Sequence, residues 1–136
     1  MTDPTSCCDA AGNYCSRCDL LVGLDGFHVI DVTEDDGQLT VTIESAPTVM
    51  GCTVCGVVAH GHGRTVAELV DAPCFGRRVR LRWRKHRWVC PEPTCLVGSF
   101  VEQDPVVALP GRKLTTRAIK WAIGQLRDEQ ASIEGL

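Results

Sequence analysis

No apolar run in this chain of 136 residues approaches the length of a membrane span, so no transmembrane segment is expected. The start, Met1-Thr2-Asp3-Pro4-Thr5-Ser6-Cys7-Cys8, has neither a basic n-region nor an apolar h-region. A secretory signal is therefore not expected, and the cytoplasm is the expected compartment. Positive charge is almost missing from residues 1–51, where Arg17 stands alone against nine acids. A nucleophile–base constellation is missing too, so neither enzymatic activity nor a small-molecule substrate is expected.

What the chain does have is cysteine, and basic charge gathered into its second part. Residues 52–136 hold thirteen bases against eight acids, an asymmetry that the overall net charge of −3 conceals. A basic half points to a polyanionic partner. Nine cysteines in a reducing compartment point to metal or redox chemistry rather than a disulfide framework, and an odd number cannot pair completely within one chain. The length suits one modest domain with short flanks, and a core of that size gains from a metal staple.

Four cysteines form two couples, Cys52-Thr53-Val54-Cys55 and Cys90-Pro91-Glu92-Pro93-Thr94-Cys95. Two to four intervening residues allow a tight knuckle to present both thiolates to one ion, and four thiolates suit tetrahedral zinc. Gly56 fits a knuckle that needs positive φ. A rubredoxin-type iron site uses the same donors, but the looser second couple favours zinc. Four unrelated buried cysteines are the plain alternative. A second candidate set is Cys7, Cys8, Cys15 and Cys18. There Cys15-Ser16-Arg17-Cys18 is a proper couple, whereas adjacent Cys7 and Cys8 ligate together awkwardly. One of them, with His60, His62 or water, completes such a site more easily; otherwise this stretch is a reduced, flexible tail.

Between the couples runs Arg77–Val89, with seven bases in its first eleven residues: Arg77, Arg78, Arg80, Arg82, Arg84, Lys85 and Arg87. Strand alternation sets Val79, Leu81 and Trp83 on one face and Arg78, Arg80, Arg82 and Arg84 on the other. Four guanidinium groups then line roughly 20 Å, enough to meet several phosphates of duplex DNA. The competing reading is a solvated face balanced by the acids of the N-terminal part. Trp83 is expected to pack inward, and Trp88 to pack rather than stack on a base.

The coarse organisation is α+β. Residues 1–19 read as a cysteine-rich flexible tail. Residues 20–48 hold an antiparallel β-hairpin whose strands, Phe27–Asp31 and Leu39–Ile43, are joined through an acidic Glu34-Asp35-Asp36-Gly37 tip with its Asp-Gly turn signal. Residues 49–104 form a small antiparallel zinc-ribbon-like finger. Within it Thr65–Val70 reads as a strand, 71–76 as a turn, Arg77–Arg84 as the best strand, and Lys85-His86 as a turn back into Arg87–Cys90. Residues 113–136 start with a helix over Leu114–Gln130, capped by Thr115 or Thr116, with Ala118, Ile119, Ala122, Ile123 and Leu126 on one face. Ser132 caps the start of a second.

Several stretches together resemble the N-terminal zinc-finger region of ISL-three family insertion-sequence transposases. They are Cys52–Gly56, His62-Gly63-Arg64, the arginine strand with Arg87–Cys95, and Ser99–Gln103, together with the opening Leu20–Val29. The resemblance spans roughly residues 15–136. It implies a zinc finger followed by a helix-turn-helix that binds the terminal inverted repeats of the element. It also implies a later RNase H-like domain that cuts DNA with magnesium, for which this chain has no counterpart; the acids near Asp31–Asp36 read as a solvated turn. The expectation is a DNA-binding transposase fragment without catalysis, whose partners are transposon ends and the intact transposase or a second copy. The alternative is a zinc-ribbon regulator or protein-interaction module, such as an inhibitor of the intact transposase.

Overall fold

The structure, a computed structural model, describes residues 14–134. In chain order its elements are α1 (Ser16–Val22), β1 (Phe27–Asp35), β2 (Gln38–Ser45), β3 (His60–Cys74), β4 (Arg77–Val89), β5 (Ser99–Val101) and α2 (Thr116–Glu134). The class is α+β, as expected. The strands form one five-stranded sheet in the order β1-β2-β4-β3, with β5 also on β4.

The β1–β2 hairpin closes at Asp36-Gly37, where both residues take positive φ (50° and 78°). That geometry matches the right-handed twist of the strands. The hairpin and the cysteine-rich segment are not separate layers. β2 pairs parallel with β4 from Gln38↔Arg78 to Ile43↔Trp83, so residues on both sides of position 48 share one sheet. β5 takes over the same side of β4 further on, with Arg87↔Val101 and Val89↔Ser99.

β4 runs through the expected turn at Lys85-His86 without a break. Its partner β3 continues alongside, with Thr65↔Lys85 and Arg64↔His86, and reaches from His60 to Cys74. The turn between them is only Phe75-Gly76, both at positive φ (51° and 74°), rather than the whole of 71–76. The β3 ladder on one edge and, on the other, Glu102, whose amide donates to the His86 carbonyl and whose carboxylate accepts from the His86 amide, outweigh the weak turn preference of a Lys-His pair.

The core lies on one face of the sheet. Trp83, Leu81 and Ile43 are fully buried there, with Phe27, Val29 and Leu69 around them; Leu24, Val107 and Ala108 cover them. Phe27 meets Trp83 edge-on at 5.4 Å. Part of the expected tail belongs to this layer. Cys15 is buried and caps α1, and the Asp19 carboxylate accepts from the Val29 amide and contacts His28 Nδ1, each at 2.7 Å. Cys7 and Cys8 lie outside the described residues.

α2 is one continuous helix through Glu134, so position 132 lies within it rather than at the start of a second helix, and a helix-turn-helix is not seen among the described residues. Its start is fastened to β3. The Val70 amide donates to the Lys113 carbonyl, and the Thr115 amide to the Val70 carbonyl. The Thr115 hydroxyl accepts from the Ala118 amide as the helix cap and donates to Asp71 at 2.8 Å. Arg117 holds the same Asp71 carboxylate through two hydrogen bonds, at 2.9 and 2.6 Å, and donates to the Val22 carbonyl of α1. Of the expected apolar stripe, Ala118 is buried and Ile119 half-buried, but Ala122, Ile123 and Leu126 are exposed.

Asp71 is therefore the joint between helix and sheet. Burial pushes its carboxyl up, but the hydrogen bonds from Arg117 and Thr115, with the Arg117 charge and the Ala72 amide, hold it below the usual carboxylate range. Asp71→Ala should cost about 3 kcal/mol in urea unfolding, because it strands a half-buried guanidinium. A depressed folded pKa adds stability above the unfolded value. The gap between wild type and variant should thus hold at neutral pH and shrink as pH falls below about 4.

Candidate metal centre and basic face

Two knuckles bring the four finger cysteines together. In the first, the Cys52 amide donates to the Val57 carbonyl at 2.8 Å and the Gly56 amide to the Cys52 carbonyl at 3.0 Å, with Gly56 at φ 76°. A bridge between Gly51 and Val58 closes its base. In the second, the Cys90 amide donates to the Gly98 carbonyl at 2.7 Å and the Cys95 amide to the Glu92 carbonyl at 3.1 Å. Glu92 also accepts from the Thr94 hydroxyl at 2.9 Å, which stiffens the longer loop.

The knuckles hang from ends of the sheet that are tied to each other. Glu102 accepts from the His86 amide at 3.0 Å and from the Ser45 hydroxyl at 2.6 Å, and His86 Nε2 lies 3.0 Å from the Ser45 carbonyl. Trp88, buried, stacks between His86 and Phe100. The exits of β2 and β4, each leading to a cysteine couple, are thereby held in register.

The result is a thiol cluster. Cys52 Sγ lies 3.7 Å from Cys95 Sγ, and Cys55 Sγ 3.5 Å from Cys90 Sγ. All four donors fall within 4.8 Å of one another. A metal–sulfur bond of about 2.3 Å sets a tetrahedral edge of about 3.8 Å, which these separations approach. Cys52 and Cys90 are buried, Cys95 half-buried and Cys55 exposed. Amide hydrogen bonds from Cys55 and Val54 pull the Cys52 thiol down to about 6. For Cys90, an amide hydrogen bond near Glu92 lowers the thiol, but burial and the three neighbouring sulfurs outweigh it and push it up to about 12. Crowded thiols that cannot all ionise together are what a dication would relieve. The expected cluster is therefore present and can hold a metal ion.

Of the second candidate set, Cys15 and Cys18 are described. The Cys18 amide donates to Cys15 Sγ at 3.5 Å, in the local geometry of a couple. His60 and His62 are exposed on β3. Cys74, half-buried at the end of β3, lines an apolar cavity of about 420 Å³ beside Cys18 and Val22.

The seven predicted basic residues are divided between two faces. Alternation along β4 puts Arg78, Arg80, Arg82 and Arg84 together on the face away from the core. Arg77 pairs with Glu34 of the hairpin. The Lys85 ammonium lies 4.4 Å from the centre of the Trp83 ring and near Gln103; burial pushes its pKa down, with Glu102 opposing. Arg87 sits opposite Val101 of β5.

Two glutamates shape the four-arginine face. Glu68 of β3 contacts Arg80 at 3.2 Å and Arg82 at 3.4 Å. Glu44 of β2 contacts Arg64 at 3.0 Å and Arg84 at 3.6 Å, and the Tyr14 hydroxyl donates to it. Each carboxylate holds two guanidinium groups, so each trio keeps a surplus positive charge. The side chains of Arg80, Arg82 and Arg84 remain more than two-fifths exposed. Asp31 and Asp35 lie on β1, two strands away at about 4.8 Å per strand, or roughly one Debye length. No sequence motif announced the two shared glutamates. Glu68, at the period-two position opposite Arg82, carried the one available signal.

No family model matches the sequence, and neither curated proteins nor solved structures yield a match. Among the described residues no helix is long and apolar enough to cross a membrane.

The cluster predicts one thiophilic metal ion on Cys52, Cys55, Cys90 and Cys95. Cys55→Ser should lower bound metal by one ion per chain in elemental analysis. A chelator should make the 51–58 and 91–98 loops sensitive to protease while the Trp83 core stays folded.

Proposed function

We propose that the chain is a zinc-dependent DNA-binding module, with no catalysis of its own, acting in the cytoplasm. The observation that carries this reading is the row of Arg78, Arg80, Arg82 and Arg84 on one flat sheet face, with Arg64 beside them. Five guanidinium groups face two carboxylates there, a surplus of three positive charges. Sharing a glutamate fixes the guanidinium groups in advance, so less side-chain entropy is lost when phosphate binds. Zinc in the four-thiol cluster would hold the exits of β2 and β4, the two strands that carry the face and one of its glutamates. Free thiols at Cys52, Cys55, Cys74, Cys90 and Cys95 support a reducing compartment.

The resemblance to the zinc-finger region of ISL-three transposases narrows the target to duplex DNA at transposon ends. On that reading these residues supply recognition of the element's ends. Phosphate contacts from such a face position a protein on DNA more than they specify sequence.

Binding of the zinc-loaded chain to duplex DNA should weaken steeply with salt, with a log–log slope of about −3 for three to four neutralised phosphates. Replacing Arg78, Arg80, Arg82 and Arg84 together by Gln should abolish measurable binding in fluorescence anisotropy while leaving metal content unchanged. Duplex affinity that survives this change, or that ignores salt, sinks the proposal.

A further inference from the structure

The straps at Val70 fasten the start of α2 to the edge of β3, with Arg117 and Thr115 reaching Asp71 while Ala118 and Trp121 look toward Arg78 and Arg80. Between helix and sheet lies a groove of about 360 Å³, within the range of roughly 300–1,000 Å³ common to ligand sites. Val70, Leu114 and Ala118 give it an apolar lining, and Asp71, which also lines it, has its carboxylate taken up by Arg117 and Thr115. One lip carries the indole of Trp121, 46% exposed, and the other carries Arg78 and Arg80, with Gln38 beside Arg78 in the β2–β4 register. Arg80 is held from its far side by Glu68, whereas Arg78 has no ion pair among the described residues.

An exposed indole, an apolar slot, an amide and two guanidinium groups in one groove ask for a ligand that joins a flat ring to an anion. A nucleotide is such a ligand. In a fully stacked duplex the bases are not free to enter, so the matching form is an unpaired one. We infer that the groove between α2 and β4 captures an unpaired nucleotide of a DNA strand, its base against Trp121 and its phosphate at Arg78 and Arg80. This rests on the proposal that the arginine face binds DNA, and it adds a preference that the face alone does not supply. The Asp71–Arg117–Thr115 joint fixes the angle of α2, so the groove stands open before the ligand arrives.

The test compares two duplexes of one sequence, one blunt and one carrying a single-stranded overhang of four thymines, titrated into the metal-loaded full chain. Two of the three tryptophans, Trp83 and Trp88, are buried, so quenching of intrinsic fluorescence reports Trp121. The overhang duplex should bind about tenfold more tightly, the size expected for one stacked base, and should quench the emission. Trp121→Ala should erase this preference and leave blunt-duplex affinity within about twofold, whereas Trp121→Phe should keep most of it. Equal affinity for both duplexes without quenching overturns the inference and leaves the arginine-face proposal standing. Absence of binding to either duplex overturns both.

Discussion

The period-two alternation of β4 is the constraint from which the rest of the molecule follows. In thirteen residues it presents Val79, Leu81 and Trp83 to the core and Arg78, Arg80, Arg82 and Arg84 to the opposite face. A slip of one residue in its pairing would exchange the two sets. It would bury guanidinium groups under Leu24 and Val107, so register is specified as strongly as charge burial is penalised. The basic surface and the core are therefore one feature. β4 is also the most connected strand, bonded to β3 along its length and to β2 and then β5 on its other edge.

A strand so placed leaves its C-terminal end to be secured. The core cluster ends at Trp83, and beyond it β4 relies on the polar clamp of His86, Ser45 and Glu102 and on the stack of Trp88 with Phe100. The cysteine cluster follows within two residues of Trp88. A metal there would tie the end of β4 to the loop after β2 through four bonds, in a region where Val49, Val54, Val58 and Leu96 stay exposed. Small cores turn to such staples because their buried area falls short. The site at one end and the core at the other thus divide the stabilisation of a single sheet.

The elements legible in the sequence were those with short-range signals. Asp36-Gly37 marked its turn, the Cys52/Cys55 and Cys90/Cys95 spacings marked the cluster, and the alternation from Arg78 to Arg84 marked the two faces. What escaped was long-range. Nothing local shows that Gln38–Ile43 pairs parallel with Arg78–Trp83, since that register depends on strands brought together across the first knuckle and β3. The joint at Asp71 was equally hidden: its partners lie 44 and 46 residues away, and Asp71 alone looks like a turn residue before Pro73. The supposed turn at Lys85-His86 failed for the converse reason. A locally weak strand position is carried by the β3 ladder on one edge and by Glu102 on the other.

The glutamates on the arginine face have opposing effects. Glu44 and Glu68 lower the net charge that attracts a polyanion, which slows steered encounter. They also hold four of the five guanidinium groups at fixed spacing on a rigid sheet, which removes ordering cost from the bound state. The half-exposed pairs of Glu68 are worth little to stability, so folding alone gives small reason for that carboxylate to sit between two arginines. Its placement makes sense where the arginines must stay extended and separated rather than collapse onto the nearest acid. Arg78, the one member without such a partner, lies at the groove beneath Trp121, where a ligand's own phosphate would complete the pattern.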